Sequence, residues 1–537
     1  MNIAPLDLAI IVVYMVVITS LGVWLSRRKK LTGEAYFLAS RSLRWPVIGT
    51  ALFASNISTI HLVGLAEGGY KYGLVLGNFE WMATFTLIGL ALVFAPFYFT
   101  SRISTLPEFL EKRYSRSIRS ILAVMAVISA LLIHIGISLF AGAAVFKAFF
   151  NVDIVTSIVV IATVTGLYTA LGGLKAVVFT ETVGTFVLLA GAVTVTAMAI
   201  LALPGVGIHS LADFKGAVKP GQLSMIQSSN RDGFAWYAIL LGYPVLGVWY
   251  WCTDQTIVQR LLGARTQMDA QAGALFAGVL KTLPVFFMVL PGVIGYVLYR
   301  GHIGTDARQT FPYMCNTLLP VGLKGLVAAA LVAALMSSIG AALNSVGTLV
   351  AVDMVKYFRP ATSDAAQIRI GALSSVAVMV LAMAWSTQGA RFGSIFEAIN
   401  KMPAQFLAPP ITTVFVWGVF WRRGTYQAAL ATLLAGFSIG ILEFLIDLPV
   451  VGTTQLITEG LGISFMMQAW WNFCLCSAIF VTVSLVTPAP DLERIESLTW
   501  PNPLRVIFHG RVTGAFDPRV VASAILAGMC VLYYVFS

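Results

Sequence analysis

Residues 46–70 read PVIGTALFASNISTIHLVGLAEGGY. The stretch follows Arg44, ends before Lys71 and carries one carboxylate, Glu67, close to its end. As a helix rising about 1.5 Å per residue it is long enough to cross about 30 Å of hydrocarbon. Its centre, however, is polar: Ser55, Asn56, Ser58, Thr59 and His61 cluster there, and Gly64 follows. A helix facing lipid on all sides has no use for such a run. The pattern predicts a span broken at mid-membrane, where freed backbone groups meet protein or a water-filled cavity.

The rest of the chain has the same solvent. Of its 537 residues 58% are hydrophobic and 11% charged, whereas soluble domains carry about 25% charged residues. Windows such as 8–25, 176–203, 272–299 and 519–536 are almost free of charge and long enough to span a bilayer. Apolar length and flanking charge give about fourteen spans, near 7–26, 46–70, 77–100, 118–148, 153–171, 177–202, 234–258, 270–300, 322–357, 367–386, 393–420, 426–446, 467–486 and 519–536. A net charge of +11 would suggest nucleic acid in a soluble protein. Here the basic residues fall in alternate loops, as in Arg27-Arg28-Lys29-Lys30, then Arg102 with Lys112, Arg113 and Arg116, then Lys175, then Arg260 with Arg265. Basic loops stay cytoplasmic, so the expectation is a multi-pass protein of the plasma (inner) membrane with both termini outside, set in lipid and binding no nucleic acid. Asp7 precedes the first apolar run and the basic residues follow it, which reads as a retained span. The five cysteines lie mostly inside apolar runs and read as small hydrophobes. The longest polar segments, 203–233 and 487–518, are too short for a separate soluble core.

Span seven, with Gly242, Pro244 and Gly247, is interrupted like span two, and span eleven holds Pro403, Pro409 and Pro410. Spans two and seven each open a run of five. Two inverted five-helix repeats, 46–202 and 234–420, would put both breaks at corresponding positions around a midplane site. Residues 1–45 then form an extra span with a basic loop, and 421–537 form accessory spans.

The ionisable groups inside the apolar spans are the candidates for chemistry. Each costs about 2.5–3.5 kcal/mol at a helix centre, so each needs a partner or a cavity. Asn56 and His61 lie in span two, Glu80 at the start of span three, Tyr250 and Trp251 in span seven and Lys281 in span eight. Amide, imidazole, carboxylate and ammonium give directional hydrogen bonds, while Trp and Tyr offer flat apolar faces, a set suited to an uncharged hydroxyl-rich solute. Blander readings stand beside this one. Lys281 and Glu80 could simply pair, His61 could be an interhelical donor, and Asp254 with Arg260 reads as a helix-terminal ion pair. In span nine Ser337 lies three residues after Ala334, so its hydroxyl and that carbonyl share a face. A mid-helix serine also often bonds back to the preceding turn. Hydroxyls and carbonyls of an unwound helix are hard ligands that suit sodium.

At these residues the chain resembles the sodium:solute symporter family, in its sodium/glucose cotransporter branch. The stretches that carry the likeness are FLASRSLRWPVIGTALFASNIS (37–58), HLVGLA (61–66), NFEW (78–81), LPEFLEKRY (106–114), LYTALGGLKAVVFTET (167–182), WYWCTDQTIVQR (249–260), LMSSIGAALNS (335–345) and APPITTVFVWGVFW (408–421). The resemblance implies an all-α polytopic, LeuT-like 5+5 inverted-repeat fold. It also implies sodium-coupled symport of a neutral sugar or polyol by alternating access, by a protein functional as a monomer. By resemblance, sodium is held by the carbonyls of Ala54, Ile57 and Ala334 and the hydroxyls of Ser337 and Ser338. The solute contacts would be Asn56, His61, Glu80, Tyr250, Trp251 and Lys281, with Tyr250 stacking on the sugar as an inner gate.

Three departures qualify that picture. Sugar-binding members carry Gln in span eleven; here Asn400 is the best match, with Lys401 the alternative and one extra residue before the proline pair. Gly340, Ala341 and Ser138 replace the hydroxyls and Asp of members that couple a second sodium, so one sodium per solute is expected. Glu181 replaces an Asp, and Glu67 stands where small residues are usual, within reach of Lys71 one turn on. Other solutes (sialic acid, inositol, a carboxylate, an amino acid) are the first rival, with Glu80 a like charge for an acid. An enzyme is disfavoured, because His61, His134, His209, His302 and His509 are scattered and no HExxH or GxSxG occurs. A solute sensor would carry a signalling domain.

Overall fold

The computed structural model describes residues 4–26, 32–228, 233–388, 401–447, 455–500 and 512–537. Asn400 lies outside the described residues. The chain is almost wholly helical. It runs through α1 (Pro5–Ser26), the pair α2 (Trp45–Asn56) and α3 (Thr59–Tyr72), and α4 (Asn78–Gly89). After a helix at Arg116–Ser129 comes the long α5 (Ile154–Ala202), then α6 (Trp236–Gly247), α7 (Gln255–Leu262), α8 (Gln267–Leu280), α9 (Leu290–Ile303) and α10 (Leu323–Thr348). Among the later helices are α11 (Phe465–Val486) and α12 (Pro518–Val535).

Small and apolar residues all round α10 place it at the centre. In the most apolar window of the span that α10 opens, Leu323–Lys356, 94% of residues are buried, against 22% for α1 and 17% for α12. The outer helices therefore face lipid and the core is a column around α10. α2 and α3 meet at a 61° bend, the break expected from the polar centre of 46–70.

Among the described residues eleven helices are long and apolar enough to cross a membrane, or twelve if the α2–α3 pair is one span. The difference from fourteen arises at two places. The stretches 153–171 and 177–202 are counted together because they follow one another without a loop over the 49 residues of α5, but they are two helices joined at a kink, as a length over twice the hydrocarbon thickness at about 1.5 Å per residue requires. The kink lies at Gly173, whose φ of 58° and ψ of −163° are open only to glycine. A Cβ there would also lie 2.6 Å from the Tyr36 carbonyl oxygen. The second place is 234–258. There α6 is 12 residues long and continues as a wide π-helical turn, Val248–Thr253, before the chain extends at Asp254. That segment is too interrupted to count by length alone.

Candidate functional site

The break between α2 and α3 has a local cause. Ile57 and Ser58 are extended, with ψ of 112° and 175°. The last amide to continue α2 is that of Ile57, which donates to the Phe53 carbonyl at 3.1 Å. The Ser58 N–H, which a continued helix would direct to the Ala54 carbonyl, instead donates to His61 Nδ1 at 3.1 Å. Carbonyls at the end of α2 are thereby released from the helical ladder. They face α10: Ser338 Oγ donates to the Ile57 carbonyl at 3.3 Å and, back along its own helix, to the Ala334 carbonyl at 3.2 Å. One residue earlier, the Ser337 hydroxyl is buried and has no hydrogen-bond partner. Thr59 Oγ1 ties the start of α3 to the Leu331 carbonyl at 3.2 Å. The Ser338 hydroxyl thus joins a carbonyl of the α2 break to one of α10, with the buried Ser337 hydroxyl one residue away.

The same bonds fix His61. Since Nδ1 accepts the Ser58 N–H, a neutral imidazole carries its proton on Nε2. That nitrogen stands 3.7 Å from Glu80 Oε1. Glu80, on the first turn of α4, is 1% exposed, as is Lys281, which follows the last residue of α8. Lys281 Nζ donates to Glu80 Oε2 and to Asn56 Oδ1 and lies 5.5 Å from the Trp251 ring centre. An ammonium at a helix C-terminus also faces the negative end of the helix dipole. Trp251 and Tyr250 come from the π-helical turn after α6, their rings edge to face at 5.1 Å. Such a wide turn re-aims side chains within a helix.

These six side chains (Asn56, His61, Glu80, Tyr250, Trp251 and Lys281) line one internal cavity of about 170 Å³. Glu80 and Lys281 do pair, as the blander reading had it, but they do so in the cavity wall. Ser338 borders the cavity from the other side, so the oxygen cluster and the polar cavity adjoin. Lys401 is not part of it. It lines a second, larger cavity of about 840 Å³ and donates to Gln455 Oε1 at 2.7 Å and Asp447 Oδ2 at 3.4 Å.

Asp254 and Arg260 do not form the helix-terminal pair expected of them. Asp254 caps α7, accepting the Thr256 N–H at 2.7 Å, and its other oxygen meets His134 Nε2 at 3.1 Å. Arg260 turns inward to Glu181 on α5, 2.6 Å away, with both side chains fully enclosed. Ser55 Oγ joins the same carboxylate at 3.1 Å, which links the pair to the broken helix. Sequence reading missed His134, Ser138 and Tyr243 as cavity residues. His134 is a single imidazole in an apolar run, and a carboxylate 120 residues away gives it its role.

Residues 36–436 match the sodium:solute symporter family. The sodium/mannose cotransporter of Bos taurus is 34% identical, over 98% of this chain and 95% of its own. The sodium/glucose cotransporter 4 of Danio rerio is 34% identical over 92% and 80%. The sodium/myo-inositol cotransporter 2 of Oryctolagus cuniculus is 31% identical over 93% and 79%. Among solved structures, a Na+-coupled sialic acid symporter in a substrate-bound outward-open state superposes with a TM-score of 0.76 at 19% identity, covering 91% of this chain and 99% of that one. That likeness establishes the fold as LeuT-like. Sodium is the coupling ion and the protein is a transporter rather than an enzyme, since the chain belongs to the sodium:solute symporter family.

Proposed function

We propose that the protein carries a neutral hexose or polyol across the membrane together with one sodium ion. The observation that carries this reading is the convergence of Asn56, His61, Glu80 and Lys281 beside Tyr250 and Trp251 in a single cavity. Hydroxyls can accept from Lys281 and His61 Nε2, donate to Glu80, and exchange both with the Asn56 amide, while a ring face packs on Trp251 or Tyr250. An acidic solute would meet the Glu80 carboxylate as a like charge. The relatives named for mannose, glucose and myo-inositol share that hydroxyl-rich, uncharged chemistry.

Sodium is a co-substrate here, and its ligands in this reading are the carbonyls of Ala54, Ile57 and Ala334 and the hydroxyls of Ser337 and Ser338. The partnerless Ser337 hydroxyl and the carbonyls released by the α2 break suit a cation that wants several hard oxygens. An ion there joins α2 to α10 and so sets the form of the break that shapes the solute cavity. Differential binding of sodium to one conformation is what couples the two substrates. One charge crossing about 100 mV contributes about 2.3 kcal/mol, enough for roughly fifty-fold accumulation. In this reading, which the alternation of basic loops supports, both termini lie outside the plasma membrane, the larger cavity faces the exterior and the protein works as a monomer.

The test is uptake into proteoliposomes of a panel of sugars, polyols and sugar acids, in sodium and in choline. Sodium-dependent uptake of a neutral hexose or polyol is expected. Uptake that is unchanged in choline removes the coupling, and uptake confined to acids removes the solute assignment.

A further inference from the structure

Among the described residues, three aromatic rings in mutual contact join the linings of the two cavities. Phe79 lines the smaller cavity, and Phe234 and Phe465 line the larger one. Phe79 and Phe465 are stacked, 6.0 Å between ring centres with planes 12° apart. Phe234 meets Phe79 edge-on at 6.2 Å and Phe465 edge-on at 6.4 Å. Among the described residues these three rings in mutual contact stand between the two linings, so a solute passing that way must part at least one pair.

The rings come from different parts of the chain. Phe79 sits on the first turn of α4, in the first repeat, and Phe234 just precedes α6, which opens the second. Phe465 is the first residue of α11, which belongs to neither repeat. Its surroundings hold it in place. Asp447 accepts the Ile457 and Thr458 amides at 3.1 Å each, Lys401 bridges Asp447 and Gln455, and Gln468 donates to the Ile463 carbonyl at 2.8 Å. The loop leading into Phe465 is thus tied to a buried ion pair. Against α6 the fit is backbone to backbone, since a Cβ on Gly242 would lie 2.1 Å from the Met466 carbonyl oxygen. Phe79 has a further tie to α6, where Tyr243 Oη donates to its carbonyl at 2.9 Å.

We propose that Phe465 is the fixed face of the barrier between the larger cavity and the solute cavity, against which Phe79 and Phe234 close. An accessory helix would then determine access to a site built by the two repeats. The inference rests on the smaller cavity being the solute site.

The experiment uses the full chain in proteoliposomes, its five native cysteines replaced and Ser138→Cys introduced in the solute cavity. A membrane-impermeant maleimide is added to one side or the other, without solute or sodium. Phe465→Ala is expected to speed labelling at least tenfold from the side of the larger cavity only, and Phe465→Trp to slow it several-fold. Leu475→Ala, on the exposed side of the same helix, should change nothing. Equal rates in Phe465→Ala, Phe465→Trp and the parent overturn the proposal. So does acceleration by both variants, or from both sides, which marks general loosening. Labelling needs no transport, so a failed sugar assignment leaves this result standing and a failed barrier leaves the uptake panel standing.

Discussion

Replacing Lys281 by Met separates a structural ion pair from a solute contact. Lys281 and Glu80 are each 1% exposed, and Nζ is shared between Glu80 and Asn56. Removing one member of a buried pair leaves an uncompensated charge and costs about 3–5 kcal/mol. The Asn56 amide oxygen loses its donor as well, with an unsatisfied buried acceptor costing about 1–3 kcal/mol. The two terms overlap, so Lys281→Met should lose about 3–5 kcal/mol in denaturant unfolding of the purified protein in micelles. Glu80→Gln added to Lys281→Met removes the stranded charge and should recover at least about 2 kcal/mol of that loss. Solute binding should not recover with it. Each charge-assisted hydrogen bond is worth about 1.5–3 kcal/mol, which is about ten- to a hundred-fold in equilibrium affinity per bond. A single variant as stable as the parent would refute the pairing argument. A double variant that binds solute as the parent does would show the pair to be scaffold only.

Other expectations follow from the same geometry. Ser338→Ala, which removes the hydroxyl bridging the Ile57 and Ala334 carbonyls, should raise the sodium concentration for half-maximal uptake at least tenfold, measured as uptake against sodium. Gly173→Ala forces a side chain into φ 58° and onto the Tyr36 carbonyl, which should lower the melting temperature of the purified protein, with backbone strain alone costing about 1–3 kcal/mol; Gly205→Ala, in open space, should not. Asp213 accepts from Ser210 and from the backbone amides of His209 and Ser210, which hold its carboxyl below the ordinary value. A depressed folded-state pKa means this support for the loop helix Leu211–Ala217 is full above the ordinary carboxylate range and is lost as pH falls from that range through the lower folded-state value. The amide protection factors of that helix (exchange relative to the intrinsic rate at each pH) should therefore fall at low pH, and Asp213→Asn should abolish that fall.

Much of the site was legible because its residues are costly where they stand. A lysine in an apolar run and a Ser-Asn pair in the middle of a span demand an explanation from sequence alone, and the cavity and the α2 break supply it. What stayed hidden was pairing. Arg260 is near Asp254 in sequence, and only the fold brings Glu181 nearer, from 79 residues away. His134 carries no local signal, since any apolar helix holds one imidazole at similar cost. The span count diverged for a related reason. Two helices that follow one another without a loop count as one by length, and Gly173 joins such a pair at a kink. The contribution of α11 was equally silent, because a phenylalanine in a membrane helix is unremarkable until its neighbours are known.

The enclosed Glu181–Arg260 pair also constrains how the polypeptide is built. Glu181 is synthesised 79 residues before the arginine that neutralises it. Until then a lone carboxylate at membrane depth costs about 2.5–3.5 kcal/mol. The long apolar flanks of α5 can carry that burden during insertion. α7 cannot return the favour: it is eight residues long, too short to span by itself, and carries Arg260 in its last turn. The second half of the chain is therefore not free to partition by itself. Its charged segment can leave the insertion machinery only onto the surface already prepared by the first half, which makes the order of synthesis part of the assembly route.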